Sequence, residues 1–350
     1  MSIKKYIIEQ FDLHKSMRPE DVVKLCYQAS LGAEHLLTDP DGAKYYFNSE
    51  FDAVGESEGP LFEKISDDVA RINLGAWKAR KLPGEWLFNM FYASACPRAE
   101  GKTRLVEYLC EAEESLGYVD KGFSNGEWDA FVKSYINEGM PSLHHSTFYR
   151  KSERPSYRVV DAGFLSIIPV LEKISFRKSE PVIVSIDGRA ASGKSTLAER
   201  LAMTIGASIV RVDDFFLPPA LRTEQRLDEA GGNIHYERFI AEVLPCLRGD
   251  EPFEYGIFDC QKMAICEKRW IIKSKIRIVE GSYSHHPRFG EYADVRVFVT
   301  VSPEEQIKRI FARNGEALAE TFAEKWIPME EKYFDTFSIK EKADVVITTE

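Results

Sequence analysis

Apolar positions recur at helical spacing through most of the first 150 residues. The clearest cases are three segments in which apolar residues three and four apart form one face, namely residues 19–32, 102–117 and 124–139. The third segment opens with Ser124-x-x-Glu127, a pattern that caps a helix by hydrogen bonding to its first unpaired backbone amides. Residues 1–150 therefore predict a mostly helical domain, and no motif in them indicates its role.

The pattern changes near residue 150. Residues 151–178 indicate a polar linker and a connecting helix, which we expect to be kinked or ended near Pro169. Short runs rich in β-branched residues then alternate with helical patterns, at residues 182–186, 207–213, 275–281, 295–301 and 343–349. This alternation predicts an α/β domain over residues 179–350, with a doubly wound, largely parallel five-stranded sheet covered by helices on both faces.

Composition and charge narrow the class of protein. The chain has 350 residues, 44% of them hydrophobic and 29% charged, which is typical of a folded protein with two domains. Its net charge of −10 argues against general binding to nucleic acid, which needs a basic surface. The chain has no apolar run of 18 residues and no secretory signal at its N-terminus, so we expect no membrane span and a cytoplasmic location.

Residues 188–195 fit the spacing G-x-x-x-x-G-K-[ST] of phosphate-binding loops, and they lie between a predicted buried strand and a helical pattern. Glycines let the backbone turn tightly, so that successive N–H groups and the start of the next helix face phosphate oxygens. Lys194 would bridge the β- and γ-phosphates of ATP, and Ser195 would hold Mg²⁺ through its hydroxyl. The predicted nucleotide-binding residues are Gly188, Ala190, Ala191, Ser192, Gly193, Lys194, Ser195 and Thr196.

Acidic residues end two of the predicted strands. Asp213 and Asp214 follow the second strand, and Glu280 ends the third. Residues just beyond the carboxyl ends of strands in an α/β sheet face the ligand crevice, so one aspartate could accept a proton from an attacking hydroxyl. Glu280 could support Mg²⁺ together with Ser195. The simpler alternative is that these acids cap turns or are solvated strand ends.

A later helix carries Lys308, Arg309 and Arg313, of which the two arginines are four apart and share a face. Arginines so placed can close over a transferring phosphoryl group and stabilise its charge, whereas a solvated helix face is the alternative. Other P-loop classes fit less well, because the chain has no N-K-x-D and no L-S-G-G-Q signature. The D-x-x-G match at Asp228–Gly231 is too short to be specific.

The order of these motifs over about residues 180–350 resembles the uridine kinase and phosphoribulokinase branch of P-loop kinases. The segments that carry the resemblance are GRAASGKST, VDDFFLPP, GGNIHYERF, FEYGIFDC, IVEGSY and KRIFARNGEALAETF. The resemblance implies that Asp213 is the base on the acceptor hydroxyl, that Glu280-Gly281 is the strand-end pair of the family, and that Arg309 is its lid arginine with Arg313 nearby. It also implies the use of ATP and Mg²⁺.

The predicted substrate side departs from that family. Where uridine kinases have a histidine that reads the pyrimidine, this chain has Asp259-Cys260, and loss of a polar base-reading group should weaken discrimination for uracil. Arg222 and Arg226 could add positive charge for an acceptor that already carries a phosphate. The predicted substrate-binding residues are Asp214, Phe216, Asn233, His235, Tyr255 and Phe258.

These features predict ATP- and Mg²⁺-dependent phosphorylation of a hydroxyl on a small metabolite, with a nucleoside as the first candidate. The predicted catalytic residues are Lys194, Asp213, Arg309 and Arg313. Two alternatives stay open, a kinase for a pantothenate-like or sugar-phosphate acceptor and a nucleotide-gated binding protein without a metabolic acceptor. We expect a small-molecule substrate and no nucleic acid or membrane partner, and we leave a homodimer open.

Further polar clusters lie outside these motifs. In the N-terminal part they could converge on a site for an anionic or planar ligand, and they comprise Glu34-His35, His144-His145, Tyr149, Arg150, Tyr157 and Arg158. Packing and surface roles are the simpler interpretation. His285-His286 follows the third strand closely enough to contact a substrate.

Overall fold

The computed structural model describes residues 3–33 and 39–350. The chain divides into two compact units, Met1–Leu165 and Ser166–Glu350. Each unit has its own hydrophobic core, and each is described separately below. Within the described residues, no helix is long and apolar enough to cross a membrane.

The first unit is mostly helical, as the sequence predicts. Its helices are α1 (Ile3–Leu13), α2 (Pro19–Leu31), α3 (Pro40–Ala53), α4 (Leu74–Ala79), α5 (Gly84–Ala93), α6 (Gly101–Ser115), α7 (Asn125–Asn137) and α8 (Thr147–Glu153). The predicted capping box is present at the start of α7, where Ser124 and Glu127 each bond to the other's backbone N–H. Pro19 occupies the first turn of α2, where a missing N–H leaves no helical bond unmade.

A three-stranded antiparallel sheet, which the sequence did not predict, also belongs to the first unit. Its strands are β1 (Phe62–Lys64), β2 (Val69–Asn73) and β3 (Tyr157–Asp161), with β2 in the centre. Strand β3 falls where the sequence indicated a linker. Pro169 also differs from the expectation, because it lies in the first turn of a helix instead of ending one.

The second unit contains all five predicted strands. Its helices are α9 (Ile168–Ser175), α10 (Lys194–Ile205), α11 (Glu224–Asp228), α12 (Tyr236–Glu242), α13 (Leu244–Leu247), α14 (Pro303–Asn314), α15 (Glu316–Thr321) and α16 (Ile327–Phe337). Its strands are β4 (Val182–Gly188), β5 (Ser208–Arg211), β6 (Phe253–Asp259), β7 (Ala264–Ile271), β8 (Ile276–Glu280), β9 (Val295–Thr300) and β10 (Val345–Thr348). Strands β6 and β7 form a separate antiparallel hairpin.

The main sheet has the order β10-β9-β4-β8-β5, and every neighbouring pair is parallel. Every residue of β4 and β8 is buried, which explains their continuous apolar runs. The strands that follow β4 in the chain are added on both sides of it, with β8 and β5 on one side and β9 and β10 on the other. The α/β fold with a doubly wound parallel sheet is therefore confirmed. This topology opens a crevice beyond the carboxyl ends of β4 and β8.

Candidate active site

The predicted phosphate-binding loop leaves β4 through a position that only glycine can occupy. Gly188 has φ +138°, and a Cβ there would lie 1.9 Å from the carbonyl oxygen of Val299. The preceding Asp187 is fully buried, and its carboxylate accepts bonds from the amides of Gly188, Tyr283 and His285. The start of the loop is thereby fixed to the segment after β8.

The loop has room and charge for a polyphosphate. Gly193 has φ +89°, and a Cβ there would meet nothing nearer than 4.0 Å. Helix α10 begins at Lys194, whose buried ammonium donates to the carbonyls of Gly188 and Arg189, both at 2.8 Å. A buried ammonium held by two neutral carbonyls of its own loop can move to phosphate oxygens, so these residues fit the triphosphate of a nucleotide.

Ser195 and Glu280 form the predicted metal pair. The Ser195 hydroxyl donates to Oε1 of Glu280 at 2.9 Å, and Arg211 contacts the other carboxylate oxygen at 3.2 Å. Burial, followed by the nearby Asp213 carboxylate, raises the pKa of Glu280. A hydroxyl and a carboxylate are hard oxygen ligands, so the pair fits Mg²⁺. The described residues hold no group of three or more His, Cys, Asp or Glu arranged for a metal.

Asp213 and Asp214 lie in a single turn of 3₁₀-helix after β5 and point in different directions. Asp213 is exposed to a cavity that Lys194 also lines. Desolvation by the surrounding protein raises the pKa of its carboxyl, and the nearby Lys194 lowers it. Asp214 is buried and binds Arg269 at 2.7 Å and the Tyr255 hydroxyl at 3.0 Å. Successive residues of a 3₁₀ turn are about 120° apart, so only one of the two can face the ligand.

Both predicted lid arginines reach the cavity from α14. Arg309 binds Glu305 at 3.0 Å and the Thr349 hydroxyl at 2.8 Å. Arg313 lies one turn later and donates to the Asn314 side chain at 2.8 Å. These partners are neutral or solvent-accessible, so both guanidinium groups can turn towards a phosphoryl group.

One cavity of about 620 Å³ gathers most of the predicted site. The sequence-predicted residues that line it are Ala190, Ala191, Ser192, Gly193, Lys194, Ser195, Thr196, Asp213, Phe216, Asn233, Glu280, Arg309 and Arg313. The structure thus joins the loop, one aspartate, the metal pair and both arginines. Gly188 lies behind the loop and shapes it without lining the cavity.

Four predicted substrate residues do not line this cavity, namely Asp214, His235, Tyr255 and Phe258. Asp214 and Tyr255 bond to each other in the interior, and Phe258 is buried in the hairpin. His235 caps α12 instead, where its ring nitrogen accepts from the backbone of Arg238. Of the four, Tyr255 and Phe258 belong to β6, Asp214 to the turn after β5, and His235 to the start of α12.

Neither histidine of the pair after β8 lines this cavity. His286 is buried, whereas His285 is half-buried. Burial lowers the pKa of both rings, for His286 to about 4. His286 packs on the rings of Tyr236, Phe289 and Tyr333 and is therefore a neutral packing residue at pH 7.

Several cavity residues were not predicted as site residues. They are Cys260, Met263, Ser282, Tyr283, Phe322, Trp326 and Glu330. The pair Ser282-Tyr283 could have been found, because it directly follows the strand-end motif. Glu330 had no such signal, because it lies on α16, 140 positions after Ala190 in the chain. Its carboxylate accepts hydrogen bonds from the Ala190 amide and the Ser282 hydroxyl, both at 3.0 Å. Burial raises the pKa of Glu330.

Of the two additional arginines, only Arg222 lines the cavity. Its Nε donates to the Leu217 carbonyl at 2.8 Å. Arg226 points elsewhere, stacks on Tyr236 and binds Glu237. Cys260, which stands where the family resemblance would place a histidine, does line the cavity.

The candidate residues of the first unit come together only in part. Glu34-His35 lies outside the described residues. His145, Tyr149 and Tyr157 contact one another, whereas His144 and Arg150 are exposed. Arg158 binds Glu50 and lies over the rings of Phe47 and Phe91.

Comparison with known proteins gives partial likenesses. No family model matches the chain. A protein from Bacillus stearothermophilus, reported as a possible uridine kinase, is similar to 53% of this chain over 97% of its own length, with 20% identity and a TM-score of 0.41. A candidate fructose transport system kinase from a Silicibacter species is similar to 52% of this chain over 97% of its own length, with 21% identity and a TM-score of 0.42.

Proposed function

We propose that the second unit is a small-molecule kinase that transfers the γ-phosphoryl group of ATP to a hydroxyl group. The observation that carries the proposal is the single cavity that joins Lys194, Ser195, Asp213, Arg309 and Arg313. A phosphate cradle alone would suit any nucleotide-binding protein. Transfer to a hydroxyl needs a base as well. Asp213, a carboxylate with a raised pKa, faces the phosphate-binding loop and can act as that base.

On the donor side, the loop amides and Lys194 would bind the β- and γ-phosphates. Lys194 would exchange its two carbonyl partners for phosphate oxygens, and the start of α10 would add positive charge. Ser195 and Glu280 would hold Mg²⁺, which when bound neutralises charge on the phosphates. Arg309 and Arg313 would turn from their present partners to the transferring group.

On the acceptor side, Asp213 would take the proton of the attacking hydroxyl. The hydroxyl oxygen forms a bond to the γ-phosphorus, the bond from that phosphorus to the β–γ bridging oxygen breaks, and ADP leaves. Asn233 would orient the acceptor. It is 6% exposed, lines the cavity, and its Oδ1 has no hydrogen-bond partner among the described residues. A buried acceptor oxygen of this kind is satisfied when a ligand donates to it.

A nucleoside is the first candidate acceptor, and Phe216 and Tyr283 offer aromatic surface for a base in the same cavity. One observation favours a second class. Arg222 reaches the cavity with only its Nε bound to a described partner, so it could pair with an anionic group on the acceptor. A sugar phosphate or a pantothenate-like acid would supply that group.

The test is ADP release from MgATP by the full-length protein in the presence of nucleosides, sugars, sugar phosphates and pantothenate-like acids. We expect at least one acceptor to stimulate ADP release and to become phosphorylated. Lys194→Ala should lower the stimulated rate at least ~100-fold, because the γ-phosphate loses its cation. Lys308→Ala is the matched control, since Lys308 is exposed on α14 and pairs only with Glu305.

Slow ATP turnover that no acceptor stimulates would contradict the kinase proposal. Together with ATP-dependent capture of a partner, that result would favour the nucleotide-gated binding protein. Equal rates for the Lys194 and Lys308 variants would also contradict it, because the cavity would then not be the site of the reaction.

A further inference from the structure

The first unit contains a second cavity, of about 480 Å³. It lies between α1, the three-stranded sheet and α8. Its charged lining residues are Glu63, Arg71, Glu153 and Arg154, and its ring-bearing ones are His14, Phe62, Tyr149 and Tyr157. The volume is within the range of small-molecule sites and leaves room for several waters at ~30 Å³ each beside a small metabolite.

A buried guanidinium group forms one wall of this cavity. Arg71 lies in the central strand β2 opposite Glu63 of β1, so both side chains leave the same face of the sheet. The Arg71 side chain is 5% exposed, and its nearest carboxylate is that of Glu63, at 3.2 Å from a side chain that is 42% exposed. The buried cation therefore depends on one partner that can move into solvent.

A chain of buried hydrogen bonds holds Arg71 in this position. The guanidinium donates twice to Oε1 of Gln28, at 2.7 and 3.1 Å, and lies 4.5 Å above the Tyr157 ring. The Tyr157 hydroxyl is 2.6 Å from Nε2 of His145, whose Nδ1 is 2.8 Å from Asp21. The two ring nitrogens of His145 thus link the Tyr157 hydroxyl to the Asp21 carboxylate, and burial lowers the pKa of this ring.

A network of this kind fixes a cation at a set place and orientation. Replacing buried charges by apolar side chains of similar volume is often neutral or stabilising for a fold. The network is thus not explained by stability alone, whereas the orientation of Arg71 towards a cavity is what a binding site needs.

A fixed carboxylate forms another part of the wall. Glu153, at the end of α8, is 2.8 Å from Nδ1 of His14 and accepts from the Ser16 hydroxyl. Its side chain is 23% exposed. Gln10 of α1 contacts Glu63 at 3.4 Å, and His14, which directly follows α1, contacts Glu153 at 2.8 Å. Side chains from α1 and from its end therefore contact both carboxylates.

The cavity is lined by groups of both charge signs. The buried Arg71 guanidinium pairs with Glu63, Glu153 is bonded to His14, and Arg154 is exposed. A ligand with a net charge would leave one of these charges uncompensated once water is expelled, which is costly at low dielectric. A neutral polyol would leave the charged groups with their present partners and would not use the oriented Arg71 guanidinium. A zwitterion would bring a carboxylate for the guanidinium and a positive group for a carboxylate of the cavity.

We propose that this cavity binds a small zwitterionic metabolite, with its carboxylate at Arg71 and its ammonium group at Glu153. An α-amino acid is the simplest compound of this class. The carboxylate would replace Glu63 as the partner of the guanidinium, and Glu63 would turn to solvent or to the ammonium group. The site is independent of the kinase proposed for the second unit.

The test is isothermal titration calorimetry of the full-length protein with the twenty common α-amino acids. We expect at least one to bind with a Kd below about 1 mM. Its N-acetyl and carboxamide derivatives, which each lack one charge, should bind at least ~10-fold more weakly. Lys194→Ala should leave the affinity unchanged, which separates this site from the nucleotide site.

Two variants locate the site without removing the buried arginine. Glu153→Gln keeps the shape of the side chain and should weaken binding at least ~10-fold. Leu13→Trp fills the mouth of the cavity from a position that is 70% exposed, so the fold should tolerate it while binding is lost. Glu9→Gln is the control, since it makes the same chemical change on an exposed face of α1.

Three results would overturn the proposal. One is that no amino acid binds at about 10 mM. Another is that the derivatives lacking one charge bind as well as the parent compound. The third is that Glu153→Gln and Leu13→Trp, with melting temperatures near that of the parent, bind with unchanged affinity.

Discussion

At the scale of single residues, Asp213 and Asp214 show how two adjacent identical side chains acquire different roles. Asp213 faces the cavity next to Lys194, whereas Asp214 forms a buried pair with Arg269. Their sequence context is almost the same. The turn after β5 points the two side chains in different directions, and a pattern of residue types does not reveal which of them faces the cavity.

The charges around Asp213 lead to a prediction about pH. Desolvation raises the pKa of this carboxyl above the ordinary aspartate value near 3.9, while Lys194, Arg211 and Arg313 lower it. A base must be ionised, so kcat/KM should fall as the pH is lowered through this raised pKa. Arg313→Gln removes one stabilising positive charge and should move the acid limb to higher pH.

The measurement for this prediction is kcat/KM against pH for the parent and the Arg313→Gln variant. Lys308→Gln is the control, because Lys308 is exposed and is not among the charges that act on Asp213. An acid limb that stays in place, or moves to lower pH, in Arg313→Gln would show that Asp213 is not the ionising group.

At the scale of elements, the second unit follows its sequence closely. Its five strands are short runs rich in β-branched residues, and the two central ones, β4 and β8, are buried at every position, which is what makes their apolar runs continuous. The loop, the strand-end acids and the arginine helix could be placed because parallel strands bring their carboxyl ends to one edge of the sheet.

The elements that escaped prediction lack such signals. Strand β1 has three residues, and β2 carries Arg71 in its centre, so neither has the apolar run typical of a strand. Glu330 reaches the loop only through the packing of α16. Tyr255 is buried by contacts with Phe215 and Asp214, about 40 residues earlier in the chain, and a single sequence does not show such a contact.

Gly188 provides a test of the junction between β4 and the loop. Gly188→Ala should lower the free energy of unfolding by more than about 2 kcal/mol, because the new Cβ would meet the Val299 backbone oxygen at 1.9 Å. Gly206→Ala is the matched control, with φ +67° but nothing within 4 Å, and should lose only about 1–2 kcal/mol. Urea unfolding followed by circular dichroism measures both, and equal losses would contradict the close approach.

At the scale of the whole molecule, the division of the chain into two units predicts where the second unit must begin in order to fold on its own. Helix α9 precedes the predicted domain start at residue 179 but belongs to the second unit, where it packs against β9. It buries Ile168, Val170, Leu171 and Ile174. Each such side chain contributes about 1.5–3 kcal/mol, so together they approach the stability of a typical domain.

A chain of residues 166–350 should therefore fold and bind nucleotide, whereas residues 179–350 should be unfolded or much less stable. Thermal unfolding with and without MgATP compares the two, because a ligand that binds only the folded state raises the melting temperature. Equal melting temperatures for the two chains would mean that α9 is not part of the core of this unit.

The central claim is that one cavity holds both the phosphate donor and a hydroxyl acceptor, with Asp213 between them. The most direct measurement is the single-turnover rate of transfer from γ-labelled ATP to the acceptor, with nucleotide affinity measured on the same samples. We predict that Asp213→Asn binds MgATP within a few-fold of the parent and transfers the label at least ~100-fold more slowly. Transfer by Asp213→Asn at a rate within a few-fold of the parent would contradict the account.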